Sequence, residues 1–216
     1  MRFGTICPRI RSEIEKSLHL KYASNSAMQH FHFKPLTAEV WPDLENLFGA
    51  KGACGGCWCM TWRLSSKDYE MYKGEQNRQL FRQMAEAGKP LGIIAFSGDE
   101  PVGWCSVSPR ESLVRLENSR LLKRLDDVAV WGITCFFVKK EFRRKGLATN
   151  LIKAASAYAF ANGAPAVEAY PMIAKKEDVP EVFAFIGFAK SFEKAGFETV
   201  GRPSETRVIM RIENKS

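Results

Sequence analysis

Five cations, Lys139, Lys140, Arg143, Arg144 and Lys145, fall within seven consecutive positions of the segment VKKEFRRKGLA (residues 138–148), and Glu141 is the one acid among them. Apolar residues at helical spacing follow at once, namely Leu147, Leu151, Ile152, Ala155 and Ala159, so the cluster stands at the amino end of a helix. A helix start already carries roughly half a positive charge and unpaired N–H groups, which favour acids or bound anions. Cations there fit an anion site, in which backbone N–H groups, helix dipole and side chains all point at a polyanion. Without context such a run reads as a solvated surface face. Here Gly146 permits close backbone approach and Ala148 keeps the next position small.

A second constellation is CGGCWCMTWR (residues 54–63), with Cys54, Cys57 and Cys59 closely spaced. Three zinc ligands, with His30, His32 or another cysteine as the fourth, are one reading, and a redox pair is another. No second CxxC exists, and the single residue between Cys57 and Cys59 suits tetrahedral ligation poorly, so packed or substrate-facing thiols are favoured and no metal is expected. The six cysteines are too few for a disulfide scaffold in 216 residues.

The elements that must position these groups follow from periodicity. Leu36, Val40, Leu44, Leu47 and Phe48 predict a first helix, and Ser66 to about Ala87 a second. LGIIAF and VGWCSVS, parted by SGDEP, predict a hairpin. VAVWGITCFFV (residues 128–138) lacks alternation, as a strand covered on both faces does. It leads through the basic loop into a helix over 146–162 and a short strand AVEAYPM, which together make a βαβ unit. A final helix ending at KAGF and the strands FETVG and TRVIMRI close the pattern. The fold class is α/β (α+β), with a mixed central sheet of six to seven strands flanked by about four helices.

Composition is consistent with one globular domain over residues 28–216, at 45% hydrophobic and 12% aromatic, preceded by an extension over 1–27 that is either disordered or a docked helix. The formal net charge of +8 and a pI near 9.2 suit a polyanionic partner. No apolar run reaches the roughly 18 residues of a membrane span, and residues 1–27 lack a signal-peptide core, so a cytoplasmic location without membrane partners is expected.

The spacing Arg143-x-x-Gly146-x-Ala148, directly after a buried strand and opening a helix, resembles the pyrophosphate-binding signature of the GNAT N-acetyltransferases. The order of elements over residues 30–213 is similar too. Neither rival phosphate loop, GxxxxGK[ST] or GxGxxG in a βαβ unit, occurs. The resemblance implies acetyl-coenzyme A as cosubstrate, with pantetheine held by backbone groups of Phe136 and Val138. It places the pyrophosphate on Arg144, Lys145, Gly146, Leu147, Ala148 and Thr149, with Arg143, Arg144 and Lys145 adding charge. It further implies that the next strand splays from the central one to open a slot, and that terminal strands can pair in a homodimer. The motif CWCM…WR, with NR at 77–78, VGWC at 102–105 and SPRE at 108–111, is similar to a bacterial branch of the family. On that likeness Trp58, Trp62 and Trp104 would wall an acceptor pocket, with Arg63 or Arg110 recognising an acidic group.

The implied reaction is transfer of acetyl to a primary amine, on a small molecule or a peptide, by direct attack. Glu168 is the candidate base, because a carboxylate inside AVEAYPM needs an explanation and shares a strand face with Tyr170. A structural salt bridge is the competing role for Glu168. The family's usual tyrosine is replaced by Phe192, which leaves Tyr170 as the candidate acid. A non-catalytic acyl-coenzyme A sensor or a nucleic-acid-binding protein is the alternative function, although the tryptophans stand apart from the basic loop, which argues against nucleic acid as a partner.

Overall fold

The computed structural model describes residues 31–173 and 186–215. The extension over 1–27 and most of the connection over 173–181 lie outside these residues. The strands are β1 (Phe31–Pro35), β2 (Gly92–Ser97), β3 (Glu100–Pro109), β4 (Trp131–Val138), β5 (Ala166–Ala169), β6 (Glu198–Ser204) and β7 (Arg207–Glu213). They form one mixed sheet in the order β1-β2-β3-β4-β5-β7-β6. Every neighbouring pair is antiparallel except β4 with β5, which are parallel.

The helices are α1 (Trp41–Phe48), α2 (Ser66–Tyr72), α3 (Glu75–Glu86), α4 (Val114–Glu117), α5 (Leu147–Ala161) and α6 (Ala189–Glu193). Helix α5 is the crossover between β4 and β5. Its sequence LATNLIKAASAYAFA is rich in alanine, which favours the helix and lets it lie close on the sheet. Leu147, Leu151, Ile152, Ala155 and Ala159 bury against Val102, Ile133 and Phe136 on one face. The opposite face carries α1, α3 and the loop between α1 and α2, where Leu44, Trp58, Met60, Phe81 and Trp104 form a second core. Beside it, the segment after β3 covers the sheet with Leu113, Leu116 and Leu122, which pack on Tyr170 and Ile209.

Two elements differ from expectation. The sequence FHFKP at residues 31–35, whose alternation is short and ends in proline, adds an edge strand, and the first helix begins only at Trp41, with a proline in its opening turn. The single helix expected from Ser66 to Ala87 is two. Ser65, not Ser66, caps α2 by accepting from the Asp68 N–H at 3.1 Å. The break falls at Gly74, whose φ of +92° is left-handed and whose N–H bonds the Gly56 carbonyl at 3.0 Å. A helix running through this point would lose the contact that ties it to the cysteine loop.

Candidate active site

Strands β4 and β5 pair over only three residues, Trp131 with Val167, Gly132 with Glu168 and Ile133 with Ala169. Beyond Ile133 the central strand continues without that neighbour. Its pairing with β3 slips there, because Val107 faces Ile133 while Ser106 faces Cys135, which leaves Thr134 as the extra residue of a bulge. The Lys139 N–H bonds the Val102 carbonyl on the β3 side. Alternation along an antiparallel ladder then directs the backbone groups of Phe137 and Cys135 to β3, and those of Phe136 and Val138 to the edge that β5 has left. The Val138 carbonyl on that edge accepts from Nε of Arg143 at 3.0 Å.

The basic loop continues from this edge. Lys140–Phe142 form one short turn, Arg144 and Gly146 adopt left-handed φ of +61° and +80°, and α5 begins at Leu147. No side chain caps the helix, and its first turn holds no acid. The first N–H to return to the helix is that of Asn150, bonded to the Gly146 carbonyl at 3.2 Å. The N–H groups of Leu147, Ala148 and Thr149 therefore precede the internal ladder. Arg143, Arg144, Lys145 and Gly146 are exposed around them. A Cβ on Gly146 would meet nothing within 4 Å, so the cradle is open there.

The residues expected on the acceptor side divide. Trp104 is fully buried, edge-on to Phe48 and Phe81, and Trp58 stacks on Trp41 at 6.2 Å. Both belong to the second core, which corrects their assignment to a pocket wall. Arg63 is enclosed as well, with one Nη donating to Leu91 O, Ser106 Oγ and Ser108 Oγ. Burial pushes its guanidinium down to about 10. Trp62 alone among the three tryptophans keeps partial exposure, and its indole N–H has no hydrogen-bond partner among the described residues.

Glu168 and Tyr170 share a strand face as expected, but the carboxylate is not open to a substrate. It is 1% exposed, and four contacts fill it. Oε2 accepts from Arg110 at 3.1 Å and from the Tyr170 hydroxyl at 2.8 Å, and Oε1 accepts from Nε and Nη2 of Arg211 at 3.2 and 2.7 Å. A carboxylate has about four acceptor sites, so none remains for the proton of an incoming ammonium. Burial first, and the Glu168 carboxylate second, push the Tyr170 hydroxyl well above the usual tyrosine range. Arg110 is likewise committed, to Glu117 at 2.7 Å, to Glu168 and Tyr170, and to the Leu122 carbonyl at 2.6 Å. These are corrections to the expected base, acid and acceptor-binding arginine. The three side chains fasten the segment after β3 onto β5, and Arg211, which also pairs with Asp126 at 2.7 Å, extends the fastening to β7.

Phe192 is fully buried and packs edge-on to Phe136 at 5.7 Å and Phe197 at 5.2 Å. It therefore abuts the open edge of β4, with a hydrocarbon ring where the resemblance implies a phenol. Sequence reasoning did not single out Arg211, Asp126, Glu117 or Cys135. The charged run at 109–127 was the available signal for Glu117 and Asp126, since a segment that must lie on an apolar sheet needs partners for its charges.

Among the described residues no three histidine, cysteine, aspartate or glutamate side chains converge as metal ligands. His30 lies outside these residues. Among them, too, no helix is long and apolar enough to cross a membrane.

A mixed sheet with one parallel pair, parted beside a basic loop and the uncapped start of the helix that follows it, is the frame of an α/β acyltransferase. The profile of the acetyltransferase (GNAT) family matches residues 58–194, more than half of the chain, and the chain belongs to that family. Two solved structures have the same fold. The ribosomal-protein-S5-alanine acetyltransferase from Vibrio fischeri aligns with a TM-score of 0.51 at 12% identity, covering 89% of this chain and 98% of its own. A GNAT-family acetyltransferase from Listeria monocytogenes aligns with a TM-score of 0.52 at 11% identity, covering 88% and 99%. No curated protein matches the chain.

Proposed function

We propose that the protein transfers an acetyl group from acetyl-coenzyme A to a primary amine of a small molecule or peptide, by direct attack within a ternary complex. The observation that carries this is the continuity of two sets of backbone groups left outside the strand and helix ladders, of which the Val138 carbonyl is met by the Arg143 side chain. The edge groups of Phe136 and Val138 suit the amides of pantetheine, and the N–H groups of Leu147, Ala148 and Thr149, ringed by Arg143, Arg144 and Lys145, suit a pyrophosphate. A thioester laid along that edge would end near the Thr134 bulge. There the amine nitrogen bonds to the acetyl carbon, a backbone N–H of β4 stabilises the oxyanion, and the carbon–sulfur bond then breaks.

With Glu168 saturated, the base that deprotonates the amine is water or a group reached through water, and Glu168 with Tyr170 holds the wall of the slot. With Phe192 at its side, the departing thiolate takes its proton from solvent. Trp62, which keeps partial exposure where Trp58 and Trp104 do not, is the acceptor-facing candidate among the three tryptophans. The enclosure of Trp58 and Trp104 removes these two rings as a stacking platform for a nucleic-acid strand.

The test is thermal stability with and without acetyl-coenzyme A, for wild type and Gly146→Asp. Ligand at about 100 times its dissociation constant adds about 2.7 kcal/mol, which is roughly 5–10 °C for a domain of this size. Aspartate tolerates left-handed φ better than most residues, and the space at Gly146 is open, so the variant folds while its charge repels the phosphates. A shift in wild type that the variant lacks supports the proposal; no shift in wild type overturns it. Release of coenzyme A thiol in the presence of amine acceptors then separates an enzyme from a sensor.

A further inference from the structure

The face opposite α5 holds a pair of thiols that acetyl transfer does not use. Cys135 follows the Thr134 bulge on β4, and the Cys59 thiol donates to its Sγ across 3.4 Å. The two residues are 76 positions apart, so the fold and not local spacing brings them together. Cys59 is held in place from two directions. Its own backbone and that of Trp58 are left-handed, with φ of +55° and +43°, which turns the loop so that the side chain points into the sheet. The indole N–H of the buried Trp104 then donates to its Sγ at 3.0 Å.

Access is unequal. Cys59 is buried, whereas Cys135 is partly exposed, so a solvent-borne reagent meets Cys135 first. Arg63 adds charge. It pairs with no carboxylate among the described residues, its bonds go to a carbonyl and two hydroxyls, and the acidic groups whose charge bears on it are the thiols of Cys59 and Cys135. A buried cation without a counter-ion favours a thiolate beside it. Burial pushes the Cys59 thiol well above the ordinary range, so it holds its proton until it reacts. Sulfur atoms in a disulfide are about 2.05 Å apart, so closure needs an approach of only about 1.4 Å.

We propose that Cys135 and Cys59 are a peroxide-sensitive dithiol, with Cys135 the oxidised residue and Cys59 the resolving one. Hydrogen peroxide is the oxidant. The Cys135 thiolate attacks one peroxide oxygen, the O–O bond breaks, and sulfenic acid forms with loss of hydroxide. The Cys59 sulfur then attacks the Cys135 sulfur and displaces its hydroxyl as water, the Cys59 proton going with it. In sum two thiols and one peroxide give one disulfide and two waters. The bridge ties the cysteine loop to the central strand one residue before Phe136. An effect of the bridge on acceptor entry rests on the proposed transferase activity, but the bridge itself does not.

The experiment is treatment of the fully reduced protein with hydrogen peroxide, followed by non-reducing digestion, mass mapping and thiol counting. The expected result is a Cys59–Cys135 linked peptide lighter by two hydrogens, a fall of two in the count from the six cysteines of the chain, and full reversal by dithiothreitol. Cys135→Ser should abolish the linked peptide, and a Cys54→Ser, Cys57→Ser double variant should retain it. Linkage of Cys54 to Cys57 in its place, or an unmodified Cys135 when the exposed Cys54 is oxidised, would overturn the proposal. So would Cys135 carried to sulfinic acid with Cys59 still free. Melting with acetyl-coenzyme A, run on reduced and oxidised samples alike, keeps the two proposals apart. Loss of the ligand shift in both samples removes the transferase assignment and leaves the bridge standing.

Discussion

Replacing Glu168 by glutamine distinguishes a fastening from a base. The amide has the shape of the carboxylate but offers one acceptor oxygen and two N–H donors. Its less costly orientation keeps the oxygen toward Nε and Nη2 of Arg211, at the 3.2 and 2.7 Å positions, and turns the NH2 toward Arg110 and Tyr170. The Tyr170 hydroxyl can rotate to accept from that NH2. Nη1 of Arg110, 3.1 Å away, cannot, so two donors face each other in a site almost closed to water. Removing one partner of a buried ion pair costs about 3–5 kcal/mol. Arg110 retains Glu117 and Arg211 retains Asp126, which places the loss near the lower end, at about 3 kcal/mol. That is roughly 6–12 °C in melting temperature for a domain of this size. The five tryptophans make urea unfolding followed by fluorescence a convenient assay. Tyr170→Phe removes one hydroxyl donor to Oε2 and should cost about 1 kcal/mol. Stability of Glu168→Gln within about 1 kcal/mol of wild type, together with a fall of about 100-fold or more in acetyl transfer, would refute the fastening and return the carboxylate to the role of base.

Two further outcomes are expected. Phe192→Tyr places a hydroxyl in a fully buried edge-to-face stack and should lower stability by about 1–3 kcal/mol; an unchanged urea midpoint would mean that the ring edge opens on the slot beside Phe136. Stability should also fall on the alkaline side, because burial raises the Cys59 and Cys105 thiols and the Tyr170 hydroxyl. Each then holds its proton more tightly folded than unfolded, so its contribution is complete below its unfolded pKa, about 8.5 for cysteine and about 10 for tyrosine, and is lost as pH rises beyond. Urea midpoints that stay level between pH 7.5 and 10.5, values spanning that roughly 8.5–10 window, would contradict this.

The loop proposed as the anion site stands out in the sequence because its parts are local. Arg143, Gly146 and Ala148 lie within one turn of chain, and an apolar strand and an alanine-rich helix flank them. The acceptor side does not, because its contacts are long-range. Arg110 meets Glu168 across 58 positions and Arg211 meets Glu168 across 43, and nothing in either neighbourhood signals the other. Trp104 and Trp58 were read as wall residues from a motif, whereas filling the space between the sheet and α1 decides their place. Gly74 was one glycine in an otherwise periodic run, and only the approach of Gly56 makes it a break.

The position of β7 between β5 and β6 bears on how the chain can be made. Synthesis delivers Glu168 with Arg110 already folded or folding, but Arg211 emerges 43 residues later, a delay of roughly 2–9 s at about 5–20 residues per second. Through that interval the carboxylate has half of its partners and β5 has an unpaired edge. The nascent chain is therefore most exposed to wrong strand pairing just before β7 arrives, and a synonymous slowing of translation between these two residues should lower the yield of native protein while leaving its sequence unchanged.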